Sequence, residues 1–513
     1  MVRARAGRSE STEWAAGSER IAAEARVQRD PLRLTDSRDG NGVMKRRSGW
    51  VIVASLSLFL TGCAATVGGA AQPVDPTRVA GLEITDGPSG LKPGVLDAVL
   101  PVDGGDGGEI DNLAANAVAD VQRYWQEHLP AIFKREFRQL ANLASYDSTS
   151  RGREICGAST AGLVNAFYCG GEDVVAWDRG ELLPMLDDSI GSAAVMAVLA
   201  HEIGHAVQFR LGLPAATPSI VKEQQADCYT GTYFRWVAEG KSPMFQVSTG
   251  RGLNEVLTAL FQIRDTAGVA FDDDGAHGNA FDRVSAFQFG FTDGPARCAM
   301  IDEREIEGRS TQGGFGSAAA NEQAAAENVR LDNREALADL TTSLRQAFRL
   351  AATPPTLTTG AACGVTTEDA LASYCSESNQ INLDLDGLVR IGTPPRRGRQ
   401  GGIGDFAAFA EVASRYTLAV QQEGGFRLDG PVAAQRTACL TGFWASTIVD
   451  GKRGSLSLSP GDLDEAVAEM LTRNSLIAAD VRGRTLPAGF ARVAAFRDGF
   501  SSGDQGTCGT KYR

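Results

Sequence analysis

Histidine is nearly missing from this chain: four residues in 513. No serine–histidine nucleophile pattern uses them, no glycine-rich nucleotide loop occurs, and no basic patch stands out. The formal net charge of −13 argues against nucleic-acid binding. Long apolar runs are also lacking. The longest, within residues 44–63, has a core of about a dozen residues, too short for a comfortable membrane span.

That run reads instead as a secretory signal, with Lys45-Arg46-Arg47 ahead of an apolar core that ends in small residues. Leu60-Thr61-Gly62-Cys63 resembles the bacterial lipobox, which implies cleavage before Cys63 and lipidation of that cysteine. Residues 1–43 are polar, Arg-rich and without periodicity, as expected of an upstream start codon chosen in error. Residues 1–62, with the lipoprotein signal at 44–62, are therefore expected to be absent from the mature protein. They carry 11 Lys+Arg and 7 Asp+Glu, so 39 basic residues then face 56 acidic ones and the net charge is −17. Nine cysteines minus Cys63 leave eight, an even number suited to four disulfides outside the cytoplasm. The expected location is the extracytoplasmic side of a bacterial cell membrane, with the lipid as the membrane attachment.

Two of the four histidines fall in Met196–Arg210. His201 and His205 lie four apart on a helix, so their imidazoles share one face, about 5–6 Å apart, and suit two adjacent corners of a tetrahedral zinc site. Glu202 stands beside them to take a proton from a water activated by the metal. The flanking apolar run Ala193–Ala200 suits a buried helix that holds ligands rigidly. Ser192 is the expected N-cap, and Gly212 and Pro214 close the segment. Catalytic zinc usually takes three protein ligands. Glu223 and Asp227, four apart on a second expected helix from Pro218 to about Gly240, supply a third ligand and an acceptor that orients a ligand histidine. An ordinary solvated helix face is the plainer reading of that pair, and the histidines reverse it.

Residues from about Asp120 to Cys298 resemble the neutral zinc metallopeptidase family of bacteria. The similar stretches are Asp-Val-Gln-Arg-Tyr-Trp (120–125), Phe-Tyr-Cys (167–169), His-Glu-Ile-Gly-His-Ala-Val-Gln (201–208), Glu-Gln-Gln-Ala-Asp-Cys (223–228), and His277-Gly278 followed by Arg283-Val284. The resemblance implies a zincin-like fold with a glutamate as third ligand. Where the family often has a second histidine after the motif, this chain has Ala206.

The remainder divides readily. Residues 63–108, rich in Gly, Pro and Asp, suit a flexible tether. A metallopeptidase domain is expected over 109–301, with a helix near 112–133 and strands near 165–169 and 174–177. Residues 302–325 suit a linker, and 326–513 read as a diverged duplicate of the first domain. Cys156 and Cys169 match Cys363 and Cys375 in spacing; Cys228 and Cys298 match Cys439 and Cys508. Arg283-Val-Ser-Ala-Phe echoes Arg492-Val-Ala-Ala-Phe. This repeat favours the pairings 156–169, 228–298, 363–375 and 439–508 among the 105 that eight cysteines allow. In the second copy Ser414, Arg415, Leu418, Ala434 and Ala438 stand opposite His201, Glu202, His205, Glu223 and Asp227, so that copy is expected to bind no zinc in this manner. Leu486 stands opposite His277, a candidate donor to the oxyanion of a tetrahedral intermediate whose plainer reading is a loop histidine. His128 reads as a helix-boundary residue.

The expected fold class is α+β: a mainly helical zincin-like domain with a small sheet, followed by its degenerate duplicate. The expected activity is a zinc metallopeptidase holding one Zn2+ and acting on peptide or protein substrates, with Glu202 as general base. Two competing readings stand. One is an envelope lipoprotein whose second domain docks an envelope protein partner, its zinc vestigial or structural. The other is a zinc hydrolase of a non-peptide amide.

Overall fold

The computed structural model describes residues 74–266, 269, 276–309, 328–360, 362–363, 370–394, 401–449 and 456–513. The signal at 44–62, Cys63 and most of the expected linker lie outside them. Among the described residues no helix is long and apolar enough to cross a membrane.

In chain order the front half contains β1 (Arg78–Val79), β2 (Leu82–Glu83), β3 (Gly90–Leu91), α1 (Glu109–Phe133), β4 (Asn142–Tyr146), β5 (Glu154–Ile155), β6 (Ala158–Ser159), β7 (Ala166–Cys169) and β8 (Val174–Asp178). There follow α2 (Leu182–Ser189), α3 (Ser192–Leu211), α4 (Ser219–Ala238), β9 (Phe245–Gln246), α5 (Arg251–Gln262), α6 (Ala280–Asp293), α7 (Pro295–Cys298) and α8 (Glu303–Arg309). The second half contains α9 (Arg334–Phe348), β10 (Thr356–Thr359), β11 (Ala372–Cys375), β12 (Gln380–Leu383), α10 (Leu385–Ile391), α11 (Asp405–Glu423), α12 (Pro431–Thr447), α13 (Asp462–Leu471), α14 (Gly489–Ser502) and α15 (Gln505–Lys511). Helices dominate and the sheets are small, an α+β arrangement.

From Ala193 to Ala200 helix α3 is apolar on every side because every side is covered, and burial continues through Gly204. It packs on α1, α4 and α5. Each of Leu199, Ile203 and Val207 gains about 1.5–3 kcal/mol from that burial. Its N-cap is Gly191, at φ 133°, rather than Ser192, whose hydroxyl donates to Asp187 instead (2.8 Å). Gly212 ends the helix in the left-handed conformation (φ 78°). A three-stranded sheet of order β4-β8-β7 packs against α3 through β7. β4 runs parallel to β8, with Leu143 opposite Val175. β7 runs antiparallel to β8, with Tyr168 also opposite Val175, and forms the sheet edge against α3. The second half builds a sheet of the same kind, order β10-β12-β11, with one parallel and one antiparallel pair.

Helices α4 and α6 cross in close contact, as α12 and α14 do. A Cβ on Gly290 would collide with the Cys228 carbonyl, and one on Gly231 with that of Phe287. Gly499 meets Cys439, and Gly442 meets Phe496, in the same way. The four disulfides join Cys156–Cys169, Cys228–Cys298, Cys363–Cys375 and Cys439–Cys508.

Three expectations on organisation are corrected. From residue 74 the presumed tether is built into the fold: β3 pairs with β9, and the Thr85 amide donates to Thr249 Oγ1 (2.9 Å). Pro76, Gly81, Pro93, Gly94 and Gly104 sit in turns. The start of the presumed linker forms α8, which buries Ile306. The two halves, expected as separate domains, form one compact unit (Pro73–Arg513) with a continuous apolar core. Helices α13 and α14 pack directly against α5 and α6, which joins the two halves.

Aromatic rings pack across the two halves. Phe281 packs on Phe500 (5.4 Å between ring centres) and Phe291 on Phe490 (5.1 Å). The Asn254 side chain accepts from the Gly489 amide at the start of α14 (2.8 Å). Asp464 accepts from the Ala280 amide at the start of α6, also at 2.8 Å.

Candidate metal centre

Two neighbouring turns of α3 bring His201 and His205 to one face, with 4.8 Å between ring centres. Helix α4 runs alongside and delivers Glu223. His201 Nε2 lies 3.2 Å from His205 Nε2 and 3.0 Å from Glu223 Oε2; His205 Nε2 lies 3.4 Å from Glu223 Oε1. Four ligands placed tetrahedrally at zinc's usual bond lengths stand about 3.3 Å apart. The separation of the two Nε2 atoms matches that edge, and each faces an oxygen of the Glu223 carboxylate at a similar distance, so this donor set fits a zinc ion.

Each ring is turned by an acceptor behind it. His201 Nδ1–H donates to Asp227 Oδ1 (2.8 Å). The same oxygen accepts from Arg283 Nη2 (2.9 Å), a guanidinium on α6 whose Nη1 is held by the Ile263 carbonyl (2.8 Å). His205 Nδ1–H donates to Gln208 Oε1 (3.0 Å), and the Gln208 amide nitrogen is tied to the Lys222 carbonyl (2.6 Å). Both Nε2 atoms therefore face inward. Asp227 and Arg283 are fully buried, and among the described residues Asp227 Oδ2 and Arg283 Nε have no hydrogen-bond partner.

The charges are coupled. Burial opposes a charge on His201, but Asp227 and Glu223 push its pKa up to about 10. Burial likewise opposes protonation of His205, and Glu223 outweighs it and raises the pKa. For Glu223 burial works upward, yet His205 and His201 hold it well below the ordinary carboxylate value. Burial raises Glu202, whose carboxylate accepts the Tyr168 amide of edge strand β7 (2.9 Å).

Of the residues singled out from sequence, His201, His205 and Glu223 are brought together, with Asp227 behind and Glu202 beside them. The contacts of His277 are with Asp265. Its amide and Nδ1 are bound by Asp265 (2.7 and 3.2 Å), and its side chain is half exposed. His128 stacks on Tyr124 within α1. Gln208 and Arg283 were not assigned from sequence, although both sit inside the stretches of family resemblance. A second group of close acceptors, Asp405, Asp462 and Glu465, lies in the second half and contains no histidine.

A family model described as "Putative neutral zinc metallopeptidase" matches residues 25–301. The chain is similar to "Uncharacterized protein YpfJ" of Escherichia coli strain K12, at 33% identity over 168 residues, 28% of this chain and 56% of that protein. The protein of the same description from Escherichia coli O6:H1 matches with the same figures. The chain thus spans about half the length of these curated relatives. No solved structure matches it.

Proposed function

The chain belongs to this zinc metallopeptidase family, and on that premise we propose that it hydrolyses peptide bonds with one zinc ion held by His201, His205 and Glu223. The observation that carries the reading is the donor cluster: the two Nε2 atoms stand 3.2 Å apart and face the two oxygens of Glu223 at 3.0 and 3.4 Å. Three protein ligands leave a fourth corner free, as catalytic sites require and structural zinc sites do not. When bound, zinc supplies the electrophile that polarises a carbonyl and acidifies water. Glu202 takes the proton from the attacking water and passes it to the leaving nitrogen; its burial suits that role because it raises the carboxylate toward neutral pH. Asp227 and Gln208 hold the two imidazoles in the inward-facing tautomer. Cleavage of a peptide library by the purified mature chain should stop with a chelator and return with zinc. Binding of zinc without any cleavage would instead favour the envelope-scaffold reading.

Residues 326–513 are, on this reading, a diverged duplicate. Support comes from the repeated sheet pattern, the matched disulfides and the two pairs of helix-crossing glycines. Opposite Glu202 stands Arg415, fully buried and donating to the carbonyls of Leu476, Ala479 and Asp480. On that match a buried guanidinium stands where the front half carries its proposed base. We place the mature chain at the extracytoplasmic face, held by lipid on Cys63; four disulfides favour an oxidising compartment.

A further inference from the structure

The reciprocal helix caps between halves are alike in place but not in charge. On the zinc-free side, α14 begins on the neutral amide of Asn254. On the zinc side, α6 begins on the carboxylate of Asp464, which comes from the zinc-free half. Asp464 Oδ1 accepts from the amides of Ala280 (2.8 Å) and Phe281 (3.4 Å). Its Oδ2 holds Arg264 Nε (3.1 Å). Helix α6 carries Arg283, and Arg264 directly follows Ile263, whose carbonyl is the other anchor of that guanidinium. One buried carboxylate therefore grips both chain segments that seat Arg283, and Arg283 in turn fixes the Asp227 oxygen that orients His201.

We propose that the second half serves the front half as a built-in support for the metal centre, with Asp464 as a positioning residue that acts through Arg283 and Asp227. A carboxylate at a helix N-terminus is favoured by the exposed amides and the helix dipole, and pairing with Arg264 adds a second fixed point. Ligand orientation is what sets metal affinity when first contacts are unchanged. The chemistry requires no ligand in the second half, which accounts for a copy that has lost every zinc residue yet keeps its packing. The inference rests on the metal site proposed above.

The test uses the full mature chain and reads zinc affinity by competition with a chromophoric chelator, together with the visible spectrum after cobalt substitution. Asp464→Ala should weaken zinc about 10-fold and shift the cobalt bands, with all four disulfides still formed. Asn254→Ala removes the mirror cap; it should lower Tm comparably while leaving zinc affinity within about 2-fold. Asp464→Asn keeps an acceptor for the Ala280 amide but loses the charge on Arg264; it should fall between wild type and Asp464→Ala, and it carries the test should the alanine variant not fold. Unchanged zinc affinity in the aspartate variants, or an equal loss in Asn254→Ala, would overturn the inference. A wild-type chain that takes up no zinc would instead remove the metal reading itself and the inference with it.

Discussion

Asp227 Oδ1 stands 2.8 Å from His201 Nδ1, on the side of the ring opposite Glu223. The contact keeps a proton on Nδ1, so Nε2 is the nitrogen that faces the cluster and is left to bind a metal. Asp227→Ala should therefore lower zinc affinity by about 10- to 100-fold without touching a ligand. Chelator competition measures it, and an affinity equal to wild type would show that the ring is held by packing alone.

Glu202→Gln separates metal binding from chemistry. The amide preserves shape and an acceptor for the Tyr168 amide but cannot take a proton. Zinc content should stay at the wild-type level while peptide hydrolysis falls by at least about 10²–10⁴-fold. Retained turnover would remove Glu202 as the base.

The disulfide Cys228–Cys298 ties α4, which carries Glu223 and Asp227, to α7 across a separation of 70 residues. Closing a loop of that size is worth about 4 kcal/mol in the chain-entropy account. Replacing both cysteines with serine should lower the denaturant midpoint correspondingly. An unchanged midpoint would mean that the close glycine-mediated packing of α4 on α6 suffices.

Burial beside Asp462 and Asp405 pushes Glu465 up to about 9. An unfolded glutamate titrates near 4.3. Because the folded value is the higher one, the stability tied to this proton is complete below the unfolded pKa and is lost as pH rises through about 9. Glu465→Gln should flatten that loss and raise Tm at pH 9 relative to wild type. Thermal unfolding followed from pH 5 to 9 checks it; identical slopes would contradict it.

The site was legible where its geometry is local. His201, His205 and Glu202 share one helix, and Glu223 and Asp227 share the next, so spacing alone told which side chains share a face. Disulfide pairing could be read because matched spacings occur twice. What escaped depends on distant segments. Arg283 meets Asp227 only because α6 crosses α4 at glycine contacts. Strand β4, which no period announced, is fixed by its parallel pairing with β8. Residues 74–108 have a composition that fits a slack tether and a series of tight turns equally well, and only their pairing with residues near 245–250 decides between the two.

The central claim is that three side chains, His201, His205 and Glu223, hold one ion. Anomalous-difference density collected across the zinc absorption edge, from crystals of the zinc-loaded chain, tests it most directly. The expected result is a single strong peak bounded by the two Nε2 atoms and the Glu223 carboxylate. A peak only at Asp405, Asp462 and Glu465, or none at the histidines under saturating zinc, would contradict the account.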